Sequence, residues 1–183
     1  YDFNQCVHRY DGERGVKSFS CWEQFIALSF GQLSFRESLR DIVVCLGAHR
    51  EKLYHLGFRS TLVRTTLAYA NERRDWRIYR DYAELLVKEA RPLYARDPSF
   101  SHELNGTIYV LDSTTIELCL TLFSWARVST ERATLKLHLG LDLKGNIPAF
   151  FHISDGKYAD VTYLDLLKYE PGAYYVMDRG YID

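Results

Sequence analysis

Two aspartates follow predicted strands in the second half of the chain. Asp112 follows a β-branched and aromatic run at residues 107–111, and Asp178 follows a short apolar run at residues 173–177. Such runs are typical of buried strands, and ligands gather beyond the carboxyl ends of the strands in an open sheet. Paired carboxylates are hard oxygen ligands for Mg²⁺ or Mn²⁺, and two such ions about 3.5–4 Å apart stabilise both the attacking and the leaving oxygen in phosphodiester chemistry. The sequence therefore predicts a metal site at Asp112 and Asp178.

Each aspartate alone has a simpler interpretation. Asp112 can cap the turn that follows it, and Asp178 can open an Asp-x-Gly turn, both of which are frequent uses of aspartate. The presence of both residues at strand ends, separated by a hairpin and a helix, is what favours the metal site.

The elements between the two aspartates follow from periodicity. Five leucines in residues 135–143 alternate with polar residues or glycine, which predicts a strand with one face in a core. Residues 144–146 form a tight turn into a second strand at residues 147–153, so we expect an antiparallel hairpin. Asp160 can cap a short helix ahead of the last strand. The predicted order is strand, hairpin, helix, strand.

The first half of the chain carries helical patterns. Ser20 with Glu23, and Ser34 with Glu37, form S-x-x-E capping boxes, in which each side chain satisfies a free amide of the first turn. Two helices are therefore expected to begin there.

A third and longer helical pattern spans residues 76–93, in which Pro92 should produce a kink or an end. The predicted fold class is α/β (α+β): a helical N-terminal domain at residues 1–104, followed by a partial mixed sheet at residues 105–183.

Charge is distributed unevenly along the 183 residues. The formal net charge of -1 argues against a polycationic nucleic-acid coat but does not exclude a local DNA-binding patch. Residues 36–96 contain 13 basic and 8 acidic side chains, whereas residues 107–183 contain 7 and 10. A solvated helical face with i,i+4 ion pairs would also explain the arginines. The candidate DNA contacts are Arg59, Arg64, Arg73, Arg74, Arg77, Arg80, Lys136 and Trp125.

Other features narrow the class of protein. The four cysteines lack C-x-x-C spacing, so we expect reduced core residues rather than a zinc site or a disulfide framework. No run approaches the roughly 18 apolar residues that a membrane span requires, so a soluble, cytoplasmic protein without a membrane partner is expected.

Several motifs together resemble the DDE transposases of bacterial insertion sequences, of the IS-four family type. The motifs are YVLDSTT at residues 109–115, KLH at 136–138, DLKGNIP at 142–148, DGK at 155–157 and YVMDRGY at 175–181. Residues 19–56 and 67–77 resemble the helical N-terminal domain that often precedes the catalytic domain in that family. The resemblance covers nearly the whole chain, and it lies in the order and spacing of the motifs.

The resemblance implies an RNase H-like catalytic domain that binds two Mg²⁺ (or Mn²⁺) ions. Asp112 and Asp178 would be the first two members of an Asp-Asp-Glu triad, and Gly180 and Tyr181 match the rest of the second motif. The third acidic residue has no counterpart, since Glu170 precedes the second aspartate and Asp183 follows it by only five residues. We therefore expect a chain that is truncated before the third acid and inactive alone.

The implied function is metal-dependent cleavage of transposon ends followed by strand transfer. The implied partners are double-stranded DNA at transposon ends and target, and a second copy in a homodimer, with activity at the bacterial nucleoid. One alternative is a non-catalytic DNA-binding remnant of a transposase. Another is a metal-dependent phosphohydrolase acting on small phosphoesters, which would lack salt-sensitive DNA binding.

Overall fold

The computed structural model describes residues 2–95, 106–118 and 133–182. The chain divides into two compact units, Tyr1–Leu85 and Leu86–Asp183. The domain boundary predicted between residues 104 and 105 lies outside the described residues and stays a prediction. None of the described helices combines the length and apolar character that a membrane span requires.

The first unit is built from helices, as the sequence predicted. The elements are α1 (Asp2–Arg9), α2 (Cys21–Leu33), α3 (Leu39–Gly47), α4 (Arg50–His55), α5 (Arg64–Arg73) and α6 (Arg77–Ala95), the last of which continues into the second unit. Pro92 lies inside α6, which runs on to Ala95, so the helix does not end at this proline, and the alternative of a kink stays a prediction. Proline has no backbone amide hydrogen, so Pro92 removes one helical hydrogen bond. Because α6 ends shortly after Pro92, few further hydrogen bonds of the helix depend on this position.

One predicted capping box is confirmed and the other is wrong. Ser20 Oγ accepts the Glu23 amide at 3.1 Å, while Glu23 Oε2 accepts the Ser20 amide at 2.6 Å, and α2 begins directly after. Ser34 instead closes α2, where its hydroxyl donates to the Phe30 carbonyl at 2.6 Å. The next helix is capped by Ser38, because Phe35 at φ 54° turns the chain away before a helix can begin.

An ion network around the buried Asp81 joins α1 to α6 within the first unit. Asp81 is only 7% exposed and accepts hydrogen bonds from Arg9 at 2.5 Å, Tyr10 at 2.8 Å and Arg80 at 2.6 Å. Burial opposes ionisation of this carboxyl, but the donors from Arg80, Tyr10 and Arg9 outweigh it and hold the pKa of Asp81 below its ordinary value.

The cysteines of the described residues are free thiols. Cys6 and Cys21 are buried in the core of the first unit, where burial raises the pKa of each thiol, and Cys45 is half-buried. This agrees with the expectation of reduced core cysteines for Cys6 and Cys21. Cys119 lies outside the described residues.

The second unit contains a four-stranded mixed sheet. Its strands are β1 (Ile108–Leu118), β2 (Ala133–Asp142), β3 (Ile147–Asp155) and β4 (Tyr174–Met177), in the spatial order β3-β2-β1-β4. β2 pairs with β1 and β3 in antiparallel fashion, and β4 pairs with β1 in parallel. A short helix α7 (Asp160–Leu164) lies between β3 and β4 in the chain. The α+β class and the order strand, hairpin, helix, strand are confirmed, consistent with part of an RNase H-like domain.

The buried face of the sheet is opposite to the face that the leucine pattern predicted to be buried. Leu111, Tyr163 and Tyr181 form the buried cluster of this unit, and His138 on the same face is fully buried. The leucines of β2 that alternate with His138 are half-buried among the described residues. The strand prediction is therefore confirmed, whereas the expected burial of the leucine face is not, because α7 and the turn after β4 cover the opposite face.

Candidate functional site

The two predicted metal ligands occupy matching positions directly after the paired residues of two neighbouring parallel segments. Parallel pairing of β1 with β4 ends at Leu111 and Met177, so Asp112 and Asp178 are the next residue on each chain segment. Neighbouring strands lie about 4.8 Å apart, which brings the two backbones within reach of a shared ligand. Both aspartates are exposed.

The predicted position of Asp112 at a strand end is wrong in one respect. β1 continues to Leu118, so Asp112 lies inside an eleven-residue strand. β4 ends at Met177, so the parallel pairing stops there. Asp112 is therefore the first residue of β1 beyond the parallel pairing, although β1 itself continues. The antiparallel pairing with β2 continues beyond this point and holds the β1 backbone in place.

Backbone amides orient each carboxylate. Oδ1 of Asp112 accepts the amide of Ser113 at 2.8 Å, and Oδ1 of Asp178 accepts the amide of Gly180 at 2.9 Å. Asp178 thereby caps the short 3₁₀ helix Arg179–Tyr181, as the simpler interpretation proposed. Asp112 caps no turn, because β1 continues past it. Within the part of the chain that the structure describes, the other oxygen of each carboxylate has no hydrogen bond or ion pair, so the amide contacts leave it available to a cation.

The rest of the second motif supports this arrangement by packing. A Cβ on Gly180 would lie 3.1 Å from Oδ1 of Asp178, which is tighter than ordinary contacts allow. Tyr181 is 3% exposed, and burial, the negative charge of Asp160 and the charges of Asp112 and Asp178 together raise its pKa to about 12. Its phenol is therefore neutral at neutral pH, and its ring packs in the core with Leu111 and Tyr163.

A second polar cluster lies on the buried face of the sheet. Nζ of Lys136 lies 3.0 Å from Oδ1 of Asp160, and Nδ1 of His138 lies 3.5 Å from the same oxygen. Nε2 of His138 is 3.0 Å from Oγ of Ser154. Burial lowers the pKa of His138 although the Asp160 charge opposes this, so the ring is neutral at neutral pH.

This cluster corrects one prediction and qualifies another. Asp160 does not cap α7, because Ala159 holds the capping position and no side-chain cap bond forms. Lys136, predicted as a DNA contact, has its amine engaged by Asp160 and by the Tyr158 carbonyl at 3.3 Å. Sequence reasoning missed this ion pair because the two residues are 24 positions apart and no local pattern connects them.

The carboxylates of Asp112 and Asp178 suit a hard divalent cation, to which they would supply two ligands. Among the described residues no group of three or more His, Cys, Asp or Glu side chains could hold a metal ion. The pair Asp112 and Asp178 offers exposed carboxylate oxygens, which are the ligands that Mg²⁺ and Mn²⁺ prefer. Glu170 lies elsewhere, because its Oε2 accepts the hydroxyl of Tyr109 at 2.5 Å and is 3.8 Å from Arg91.

The predicted DNA-contacting arginines separate into two groups. Arg74 donates to the Phe19 and Ser20 carbonyls and to Gln24, and so holds the N-terminus of α2. Arg77 pairs with Asp75 at 2.6 Å, and Arg80 pairs with Asp81 at 2.6 Å. These three guanidinium groups serve internal contacts.

The remaining candidates are more available. Arg59 and Arg73 lie over the rings of Tyr54 and Tyr69, at 5.1 and 4.8 Å from the ring centroids, which leaves N–H groups free. Arg64 is exposed at the first residue of α5 and has no ion pair with any described residue. Trp125 lies outside the described residues.

Comparison with known proteins gives two matches along the chain. Residues 1–59 match a domain of unknown function, DUF4372. No curated protein and no solved structure matches. Residues 103–183, which contain Asp112, Asp178, Gly180 and Tyr181, match the transposase DDE domain.

Proposed function

Since this chain belongs to the DDE transposases, we propose that, in a form that includes the third acidic residue, it serves a bacterial insertion sequence by cleaving transposon ends and joining them to target DNA. The observation that supports this most directly is the matching position of Asp112 and Asp178, each of which directly follows the last residue in the parallel pairing of β1 with β4. Two Mg²⁺ or Mn²⁺ ions held there would supply an activated water or 3′ hydroxyl and would neutralise charge on the leaving oxygen.

The residues of this chain have definite roles in the proposal. Asp112 and Asp178 bind the ions through the oxygens that the amides of Ser113 and Gly180 leave free. Tyr181 anchors the turn that carries Asp178, since its ring packs with Leu111 in the core. The sheet thus holds both carboxylates on a rigid support, which is what a metal site needs.

The first unit is proposed to hold the DNA. Its basic residues attract the phosphate backbone, while the acidic second unit concentrates cations at the metal site. We further propose that the protein acts as a homodimer on paired transposon ends at the bacterial nucleoid.

The chain itself is proposed to bind without cutting. Its sequence contains no glutamate after Asp178, and Glu170 is engaged by Tyr109 and Arg91. We expect the 183 residues to show no end cleavage with Mg²⁺ or Mn²⁺, and cleavage by the purified chain would contradict this part of the proposal.

The test of catalysis uses a form of the protein that includes the third acidic residue. Asp112→Asn and Asp178→Asn should each abolish cleavage of a transposon end and leave binding to that end largely intact. Asp165→Asn, an exposed aspartate beyond α7, is the matched control and should cleave normally. Normal excision by either of the first two variants would exclude these residues as metal ligands.

A further inference from the structure

The first unit contains a cleft between the loop that follows α1 and one face of α5. Its volume is about 640 Å³, and its walls come from residues 10–19 and from the segment 66–75. The loop is held in shape by packing and backbone geometry, since Gly12 approaches Ile78 so closely that a Cβ would lie 2.5 Å from it. Asp11 at φ 49° and Gly15 at φ 74° then turn the chain around the cleft.

Among the charged side chains that line this cleft, basic residues outnumber acidic ones. The charged side chains include four basic residues, Arg14, Lys17, Arg73 and Arg74, and two acidic residues, Asp11 and Asp75. Two of these six have partners: Arg74 holds the N-terminus of α2, and Asp75 pairs with Arg77. Arg14, Lys17 and Arg73 remain, together with the exposed carboxylate of Asp11.

The three cations that remain have no internal anion to bind. The side chains of Arg14, Lys17 and Arg73 form no ion pair and no hydrogen bond with any described residue, and all three are exposed. Arg73 is held over the ring of Tyr69, which is itself 57% exposed. A guanidinium that is positioned by a ring and keeps its N–H groups free is well arranged to meet a phosphate.

We infer that this cleft, defined by Arg14, Lys17 and Arg73, binds the phosphate backbone of double-stranded DNA. The inference rests on the proposed function, and it identifies which basic residues of the first unit contact DNA. It separates them from Arg74, Arg77 and Arg80, whose guanidinium groups are occupied. It also gives a role to Arg14 and Lys17, which lie in the segment that matches the domain of unknown function.

Several separate cations suit a polymer better than a single small anion. Each cation that neutralises a phosphate releases a counterion, so affinity for DNA falls with salt in proportion to the number of contacts. The slope of log K against log salt concentration changes by about 0.9 for every phosphate contact on duplex DNA. The change in this slope between the wild type and a variant therefore reports how many phosphate contacts the substituted residues make.

The experiment measures binding of the intact chain to a fluorescent DNA duplex by anisotropy over a salt series. The variant Lys17→Gln/Arg73→Gln should reduce the slope by about 1.8, and Arg14→Gln should reduce it by about 0.9. The matched control is Arg40→Gln/Lys52→Gln, which removes the same charges from exposed positions on α3 and α4 outside the cleft. Its slope should equal that of the wild type.

The possible outcomes are distinct. An unchanged slope in Lys17→Gln/Arg73→Gln would overturn the assignment, as would an equal reduction in the control, because net charge alone would then explain binding. A preference for single-stranded over duplex DNA would also overturn it. If the wild type binds no duplex at all, the DNA-binding part of the proposed function fails as well. Far-ultraviolet circular dichroism of each variant confirms that the helices are retained.

Discussion

Leu111 of β1 and Met177 of β4 are partners in the parallel pairing of the sheet, and each is followed by an aspartate. The relationship matters because the backbone register, rather than side-chain contacts, sets the spacing of Asp112 and Asp178. A one-residue slip of β4 would move Asp178 to the other face of the sheet. The packing of Tyr181 next to Leu111 opposes such a slip.

Metal binding by the chain tests the pair without any cleavage. Asp112→Asn and Asp178→Asn should each weaken Mn²⁺ binding by at least about tenfold, because loss of one carboxylate removes half of the charged ligands of the site. Isothermal titration calorimetry on the 183-residue chain is the measurement. Asp165→Asn should bind Mn²⁺ as the wild type does, and wild-type affinity in both ligand variants would contradict the site.

Gly140 should be intolerant of even a methyl group. A Cβ at this position would lie 1.7 Å from Cε2 of Phe150, so Gly140→Ala should lower the free energy of unfolding by about 1–3 kcal/mol. Urea denaturation followed by fluorescence measures the change. Gly47→Ala is the control, since no atom lies within 4 Å of its Cβ and alanine favours the helix. A neutral effect of Gly140→Ala would show that Phe150 moves freely.

The buried His138 should make stability depend on pH. Burial and the neighbouring Lys136 and His152 lower its pKa below the ordinary 6.5, against the opposing charge of Asp160. Since the unfolded chain then binds a proton that the folded chain does not, the free energy of unfolding should fall as the pH is lowered below about 6.5.

The variant His138→Gln isolates this contribution. It should show a smaller loss of stability between pH 7.5 and pH 5.5 than the wild type does, as measured by urea denaturation at each pH. Equal losses in both proteins would mean that other groups account for the pH dependence.

The N-terminal cap of α2 should contribute more to the stability of the protein than the cap of α3. Ser20→Ala should cost about 1 kcal/mol of stability, because the amide of Glu23 loses its acceptor and the reciprocal box is broken. Ser38→Ala removes a single bond to the amide of Asp41 and should cost less. Thermal denaturation of both variants compares them, and a larger effect at Ser38 would contradict the prediction.

Much of the fold could be predicted from local patterns. The hairpin of β2 and β3, the strand β4 and the capping box at Ser20 all follow from residue types within a few positions of one another. α1 and α4 were not predicted, and β1 was expected to end at Leu111 whereas it continues to Leu118. Strand length depends on what a neighbouring strand offers for pairing, and here β2 supports β1 beyond the point where β4 stops.

The sequence by itself determined the order of the elements, because that order follows from short-range periodicity. It also indicated which two aspartates a mixed sheet would bring together, because their proximity follows from strand order. The tertiary structure alone decided which face of the sheet is buried, that Asp160 binds Lys136 rather than capping α7, and which arginines remain free. Each of these depends on contacts between residues far apart in the chain. Local patterns carry no information about such partners, so an exposed cation and an occupied one look alike in the sequence.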